Sequence, residues 1–370
     1  MKLQSFVSVH RLRRLFPCLF TALFLAPAAS AAEAQTKRYL YLSTPDAAQS
    51  EGRSGTGILI FDIDDGHKLA RRIEVPIFKE GLRGFTGSAA TRCVYYSTQN
   101  RRLGCFDLEK EKVVWDRQYE AGCDRSSITL DGKKLYAPTG WWYAGEDSGF
   151  LVINAETGEK IKRIQVGPQA HNSIVSLDGK SLYLGTKTML SVFDTENEKL
   201  SRQVTDVGEF GIFPYTLDRR NRTAYVCLGK HVGFDVVDLE AGKVLHRVLA
   251  GKEPIAHRTH GAGLTPDGKE LWISDQDGKK LFIFDATKMP PRESGQVELS
   301  QGGHGWVCFS LDGRYAWSHT PDVFEVKSKK LAATLKDEKG NPVSSSKFIE
   351  VHFQGDKLVA MGNEFGLGRE

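Results

Sequence analysis

Beyond Ala26 the chain has no apolar run near the roughly 20 residues that cross a bilayer, so no later membrane-spanning helix is expected. It has no Cys-x-x-Cys pair and no haem-attachment motif, which argues against a covalently held haem. It also lacks a P-loop, a G-x-G-x-x-G opening a helix, an H-E-x-x-H and a G-x-S-x-G, and the chemistry each serves is set aside. No helical periodicity competes with the strand patterns.

The chain opens with a targeting segment. Lys2, Arg11, Arg13 and Arg14 precede an apolar run from Leu15 to Ala26, then Pro27 and the small residues Ala28-Ala29-Ser30-Ala31. That order is a secretory leader, 1–31, with cleavage after Ala31 or, failing that, Ala34. Cys18 follows Pro17 inside the apolar run, not a small residue, so a lipid anchor is not expected. The mature protein is placed in the periplasm or outside the cell. The formal charge of +4 belongs to the leader; the mature chain carries 46 basic and 46 acidic residues. A neutral chain has no electrostatic footprint for nucleic acid and no polybasic patch for a membrane surface.

Five cysteines lie beyond the leader: Cys93, Cys105, Cys123, Cys227 and Cys308. Their number is odd and their spacing irregular. In an oxidising compartment Cys93 with Cys105 is the best local disulfide, because both fall in one predicted hairpin. The alternative is that cysteines serve as small buried hydrophobes.

An internal repeat organises the remainder. Leu130-Asp131-Gly132-Lys133, Leu177-Asp178-Gly179-Lys180, Pro266-Asp267-Gly268-Lys269 and Leu311-Asp312-Gly313-Arg314 are hairpin turns, and Leu217-Asp218-Arg219-Arg220 is a degenerate copy. A strand such as Leu182-Tyr183-Leu184 or Leu271-Trp272-Ile273 comes after each. A further strand then ends in Asp or Asn, as in Leu59-Ile60-Phe61-Asp62 and Phe282-Ile283-Phe284-Asp285, where the side chain suits a turn. Seven copies spaced roughly 40 to 49 residues apart predict an all-β, seven-bladed β-propeller of four-stranded antiparallel blades, over residues 37–370. Arg38-Tyr39-Leu40-Tyr41 reads as a second strand. Its missing inner neighbour is supplied by Phe348-Ile349-Glu350-Val351-His352, so the C-terminal strand closes the ring in the first blade. Lys357-Leu358-Val359-Ala360 is left over, either extending that blade or lying across the base.

The Leu/Ala-Tyr-Val/Leu strand after each Asp-Gly turn resembles the YVTN-type propellers over nearly the whole mature chain. These group with the lactonase-like propellers, the nitrous oxide reductase propeller and the haem d1 domain of nitrite reductase. The resemblance implies the fold and leaves function open, since one scaffold hosts unrelated activities. The turns from Asn154 to Lys160 and from Asp238 to Lys243 faintly match quinoprotein repeats, but the repeated Trp docking signature is missing.

Function is expected on the face that holds the loops entering the innermost strands, here the top. The residues at the hub mouth are Arg83, Asp124, His171, Gly211, His260, His304 and Lys347, with Glu209, His257 and Arg258 nearby. His231 and His319 fall on other loops of that face; His67, His246 and His352 do not. Such a cluster suits a transition metal at His171, His260 and His304, since imidazole is a common ligand. It equally suits a cofactor or acid–base work. In nitrous oxide reductase, hub histidines of this kind hold copper; only some positions match here, and that enzyme's cupredoxin domain is missing. The plain alternative is a polar hub around ordered water, with the glycines of His260-Gly261-Ala262-Gly263 and Gly302-Gly303-His304-Gly305 letting strands approach closely. A second feature is the loop from Gly140 to Asp147, whose Trp141 and Trp142 suit a ligand, a sugar or a partner, or else a packed lid. The long polar loop from Ser43 to Gly57 is a candidate cover for the hub or a loose insertion.

Two functions are consistent with these residues. One is a monomeric binding propeller for a small molecule, carbohydrate or protein, using Arg83, Asp124, His171, His260, His304, Trp141 and Trp142. The other is a hub enzyme or a metal or redox accessory protein. A lactonase-type hydrolase, with a cation polarising the ester and a His as base, is its most concrete form.

Overall fold

The computed structural model describes residues 35–43, 57–75, 82–98, 100–187, 189–209, 214–303, 305–343 and 347–362. The leader, Gly211, His304 and most of the Ser43–Gly57 loop lie outside them.

The strands form seven antiparallel sheets, and no helix occurs among the described residues. Six sheets have four strands in sequence order. In blade 4, Asn172–Val175 is innermost, followed by Ser181–Gly185, Met189–Asp194 and the outer Leu200–Thr205. The innermost strands lie against one another around the hub. Neighbouring blades bury each other's faces in between, with Trp272, Trp306 and Trp317 among the largest enclosed side chains.

Blade 1 closes the ring. Lys347–Gln354 pairs along its whole length with Thr36–Ser43, from Thr36 opposite Gln354 to Ser43 opposite Lys347. The leftover segment extends this blade: Lys357–Met361 pairs with the far end of Lys347–Gln354, making a fifth strand. Met361 fills the space where a side chain on Gly87 of blade 2 would stand. The seam between blades 7 and 1 is also tied across the ring. Trp317 Nε1 donates to His67 Nε2 at 3.1 Å, and Arg38 bridges Asp312 and Asp64 at 2.5 and 2.6 Å.

The repeat signals have direct structural meaning. In four Asp-Gly turns the glycine has φ near +70°, a region costly for other residues. A Ser or Thr two residues before the Asp donates to it, as Thr129 does to Asp131 and Ser176 to Asp178. The Asp or Asn ending a third strand accepts two backbone N–H groups of the next turn: Asp62, Asn154 and Asp238 each do so. In every blade the pairing of third and outer strands carries a register shift. Such bulges twist the outermost strand, a recognised protection of an open sheet edge.

The expected Cys93–Cys105 disulfide is not formed. All five cysteines are buried free thiols, and Cys93 Sγ donates to the Thr91 carbonyl at 3.2 Å. The two thiols share a face on adjacent strands, inside a cluster with Tyr95, Trp115 and Ile128. They serve there as packing residues.

Candidate functional site

Each described hub-mouth residue stands where an innermost strand begins. Arg83 precedes Gly84–Ser88, Asp124 precedes Ser127–Ile128, His171 precedes Asn172–Val175, His260 lies in Thr259–Leu264 and Lys347 opens its strand. Two close approaches set this geometry. A side chain on Gly84 would meet Asp124 O at 2.6 Å, so the bare glycine lets blade 2 press against the turn that carries Asp124. In blade 6, side chains on Gly261 and Gly263 would each meet a blade 7 backbone oxygen at 2.4 Å.

The central element is a three-residue chain of hydrogen bonds. His171 Nδ1 bonds Asp124 Oδ2, and Arg125 Nη1 donates to His171 Nε2 at 2.7 Å. A guanidinium can only donate and an ionised carboxylate can only accept. His171 is therefore the neutral tautomer with its proton on Nδ1, and both of its ring nitrogens are engaged. Burial, aided by the Arg125 charge and opposed by Asp124, lowers the imidazole to about 4. Burial alone would raise the Asp124 carboxyl. His171, Arg125 and Arg83 together outweigh it and hold the carboxyl far below its usual range. Arg83 Nε and Arg125 Nη1 approach Asp124 Oδ1 at 3.7 and 3.9 Å, too far for hydrogen bonds.

Indole faces brace the cations. Arg83 lies over Trp142 at 5.0 Å from the ring centroid, and Arg125 and Lys347 each lie 4.3 Å from that of Trp306. His260 stacks on the same Trp306 at 5.7 Å and 24°. Trp141 meets the His171 ring edge-on at 5.5 Å, and its backbone N–H points to Asp124 Oδ2 at 3.3 Å. The aromatic loop and the hub cluster, which the sequence presents as separate features, are thus one site. The loop is itself held: Gln169 Nε2 donates to Trp141 O at 2.8 Å, and Tyr143 Oη donates to Asp147 at 2.7 Å.

These groups enclose a cavity of about 210 Å³. Arg83, Arg125 and Arg258 line it, with no carboxylate among the described lining residues. His171, His260, Gln276 and Trp141 complete the wall. Arg258 is exposed and makes no ion pair among the described residues.

Arg125, Gln276 and Trp306 escape a reading of the sequence alone. Arg125 stands one residue after the aligned Asp124, and Trp306 two after His304, so an alignment on one position per blade passes over both. The remaining top-face histidines stand apart from the cavity. His231 Nδ1 bonds Glu209 at 2.8 Å, and His257 Nδ1 bonds Asp275 at 3.1 Å. His319 is buried against Gly305, and both of its ring nitrogens lack a hydrogen-bond partner among the described residues. Burial lowers it to about 4. Among the described residues no three His, Cys, Asp or Glu side chains converge as metal ligands. His304, the third expected ligand, lies outside them.

No family model matches this sequence, and no curated protein matches it. Among solved structures the chain is similar to Kuenenia stuttgartiensis hydrazine synthase. The identity is 16%, the TM-score 0.45, and the match covers 68% of this chain and 94% of that one. At that identity and score the likeness carries no statement about site or activity.

Proposed function

We propose that this protein is a ligand-binding β-propeller of the YVTN kind, acting outside the cytoplasm and holding a small anion at the hub mouth. The observation that carries this reading is a cavity lined by three arginines, with no carboxylate among its described lining residues. Its volume of about 210 Å³ falls below the roughly 300–1,000 Å³ of sites for drug-sized ligands. A space of that size suits a compact ion. His171 has no lone pair left for a metal or for a substrate proton, which favours a binding role for it over a ligating or basic one. It orients Arg125 instead.

Calorimetric titration with small inorganic and organic anions at low salt tests the reading. A charge-assisted hydrogen bond contributes about 1.5–3 kcal/mol, so Arg125→Gln and Arg258→Gln are each expected to weaken binding by about tenfold or more. Binding unchanged in both variants would remove the hub mouth as the site. Export is tested by the mature N-terminus. Protein recovered from the periplasm or medium should begin at Ala32, and a full-length chain confined to the cytoplasm would contradict export.

A further inference from the structure

Gln276 is held by its backbone and not by its side chain. It follows Glu270–Asp275, the second strand of blade 6, across from the start of Thr259–Leu264. Its N–H donates to Arg258 O at 3.0 Å, and its own carbonyl accepts from Gly303 N–H at 3.1 Å, on the loop entering blade 7. The turn beyond is fixed as well: the Asp275 carboxylate accepts the N–H groups of Asp277 and Gly278 at 3.1 and 2.8 Å. Gln276 and Arg258, bonded through their backbones, both line the hub-mouth cavity. The Gln276 carboxamide, by contrast, makes no hydrogen bond among the described residues, and its Oε1 is buried. A glutamine on an open surface gives its amide to water. A buried carbonyl oxygen without a donor is a cost that a ligand bringing the donor removes. The two ends of a carboxamide exchange by a half-turn of the side chain, so its complement is a neutral group that both donates and accepts.

We infer that Gln276 is the specificity residue of the hub mouth and that the ligand is a short carboxylate carrying a primary amide. The ligand's amide pairs with the Gln276 carboxamide, N–H to C=O in both directions, while its carboxylate meets Arg258. This rests on the anion-binding reading and adds the ligand's second functional group. An amide satisfies both ends of the Gln276 side chain at once and brings no positive charge against Arg258. Because the backbone of Gln276 is clamped from two sides, the carboxamide is presented with little left to order on binding. A site built to bond an N–H of its ligand also rejects the analogue that lacks it far more strongly than an apolar pocket rejects a missing methyl.

The test is calorimetry on the mature protein at fixed pH and ionic strength, with two matched pairs of monoanions. Oxamate is set against pyruvate, and succinamate against levulinate; each pair differs only in an amide NH2 replaced by a methyl. Inorganic phosphate and sulfate are run beside them. The inference expects one amide or both to bind at least about tenfold tighter than the matching ketone. In Gln276→Met, which keeps the length of the side chain and removes both polar atoms, that advantage should fall to about twofold or less, with the ketones bound as before. Thermal unfolding confirms that the variant is folded, and Gln276→Ala serves as a second variant with the same expectation. Equal affinities within both pairs, or binding of phosphate or sulfate alone, would overturn the inference and leave the anion site standing. An amide preference that survives both variants would overturn the assignment to Gln276. Absence of binding by every anion would overturn the anion reading and the inference together.

Discussion

At the residue scale, Asp124, His171 and Arg125 form the unit on which the site depends. Asp124 is wholly buried and faces two guanidinium groups and an imidazole. Removing one partner of a buried charged set costs about 3–5 kcal/mol, because the others stay buried without compensation. Asp124→Ala should lower unfolding stability by that order in denaturant titrations. A loss under about 1 kcal/mol would show that the guanidinium groups are balanced elsewhere.

His67, His171 and His319 are all buried and lowered to about 4, with burial the leading cause in each. The unfolded chain takes up protons at these residues near pH 6.5, while the folded protein does not until about pH 4. Their contribution is therefore fully present above about pH 6.5 and is lost as pH falls through that interval, with a slope approaching about three protons. Asp124 has the opposite charge chemistry and acts only below about pH 4, where its unfolded form begins to protonate. Denaturant midpoints between about pH 7 and 4.5 should fall steeply, and His319→Gln should remove about one proton from the slope. A flat profile would place these imidazoles in contact with water.

At the element scale, blades 6 and 7 approach closely at the hub, where Gly261 and Gly263 face backbone oxygens. Gly263→Ala would drive a methyl into the Val307 carbonyl, and that backbone atom cannot rotate away. A loss of about 1–3 kcal/mol is expected, as for other overpacked positions, and thermal unfolding measures it. No change in the melting temperature would mean that the strands separate freely there. Gly268, in an exposed turn with open space around its Cα, has no such neighbour, but its φ of +72° makes alanine costly for the backbone instead.

The elements were the most legible part of the sequence, because their signals are local. An Asp-Gly turn and a strand-ending Asp satisfy backbone groups within a few residues, so each blade announces itself without its neighbours. The glycine runs entering blades 6 and 7 were also readable as close-approach positions: Gly261 and Gly263 face blade 7 backbone oxygens, and Gly305 lies against His319. The site was legible by position, since Arg83, Asp124, His171, His260 and Lys347 do begin innermost strands. Its chemistry was not. That His171 is capped by Arg125, and that Trp306 carries two cations, depends on contacts between blades far apart in the chain. The cysteines misled for a related reason: two thiols in one hairpin suggest a bond, but dense packing around Tyr95 and Trp115 accommodates them unbonded.

At the scale of the whole molecule, closure by Lys347–Gln354 joins the two ends of the described chain in one sheet. That strand also places Lys347 beside Trp306. A chain ending at Val343 would expose the inner edge of Thr36–Ser43 and remove one cation from the hub. It should unfold at markedly lower denaturant and with reduced cooperativity. A truncated protein as stable as the full chain would show that the ring does not need its closing strand.

The function assigned to the whole ring turns on whether the fixed cations of the hub mouth hold an anion. The most direct measurement is the anomalous difference map of crystals grown with selenate, a compact dianion with a strong anomalous signal. A peak is predicted inside the cavity between Arg125 and Arg258, lost in crystals of Arg258→Gln. Peaks confined to surface lysines, with the cavity holding only water, would contradict anion binding at the hub.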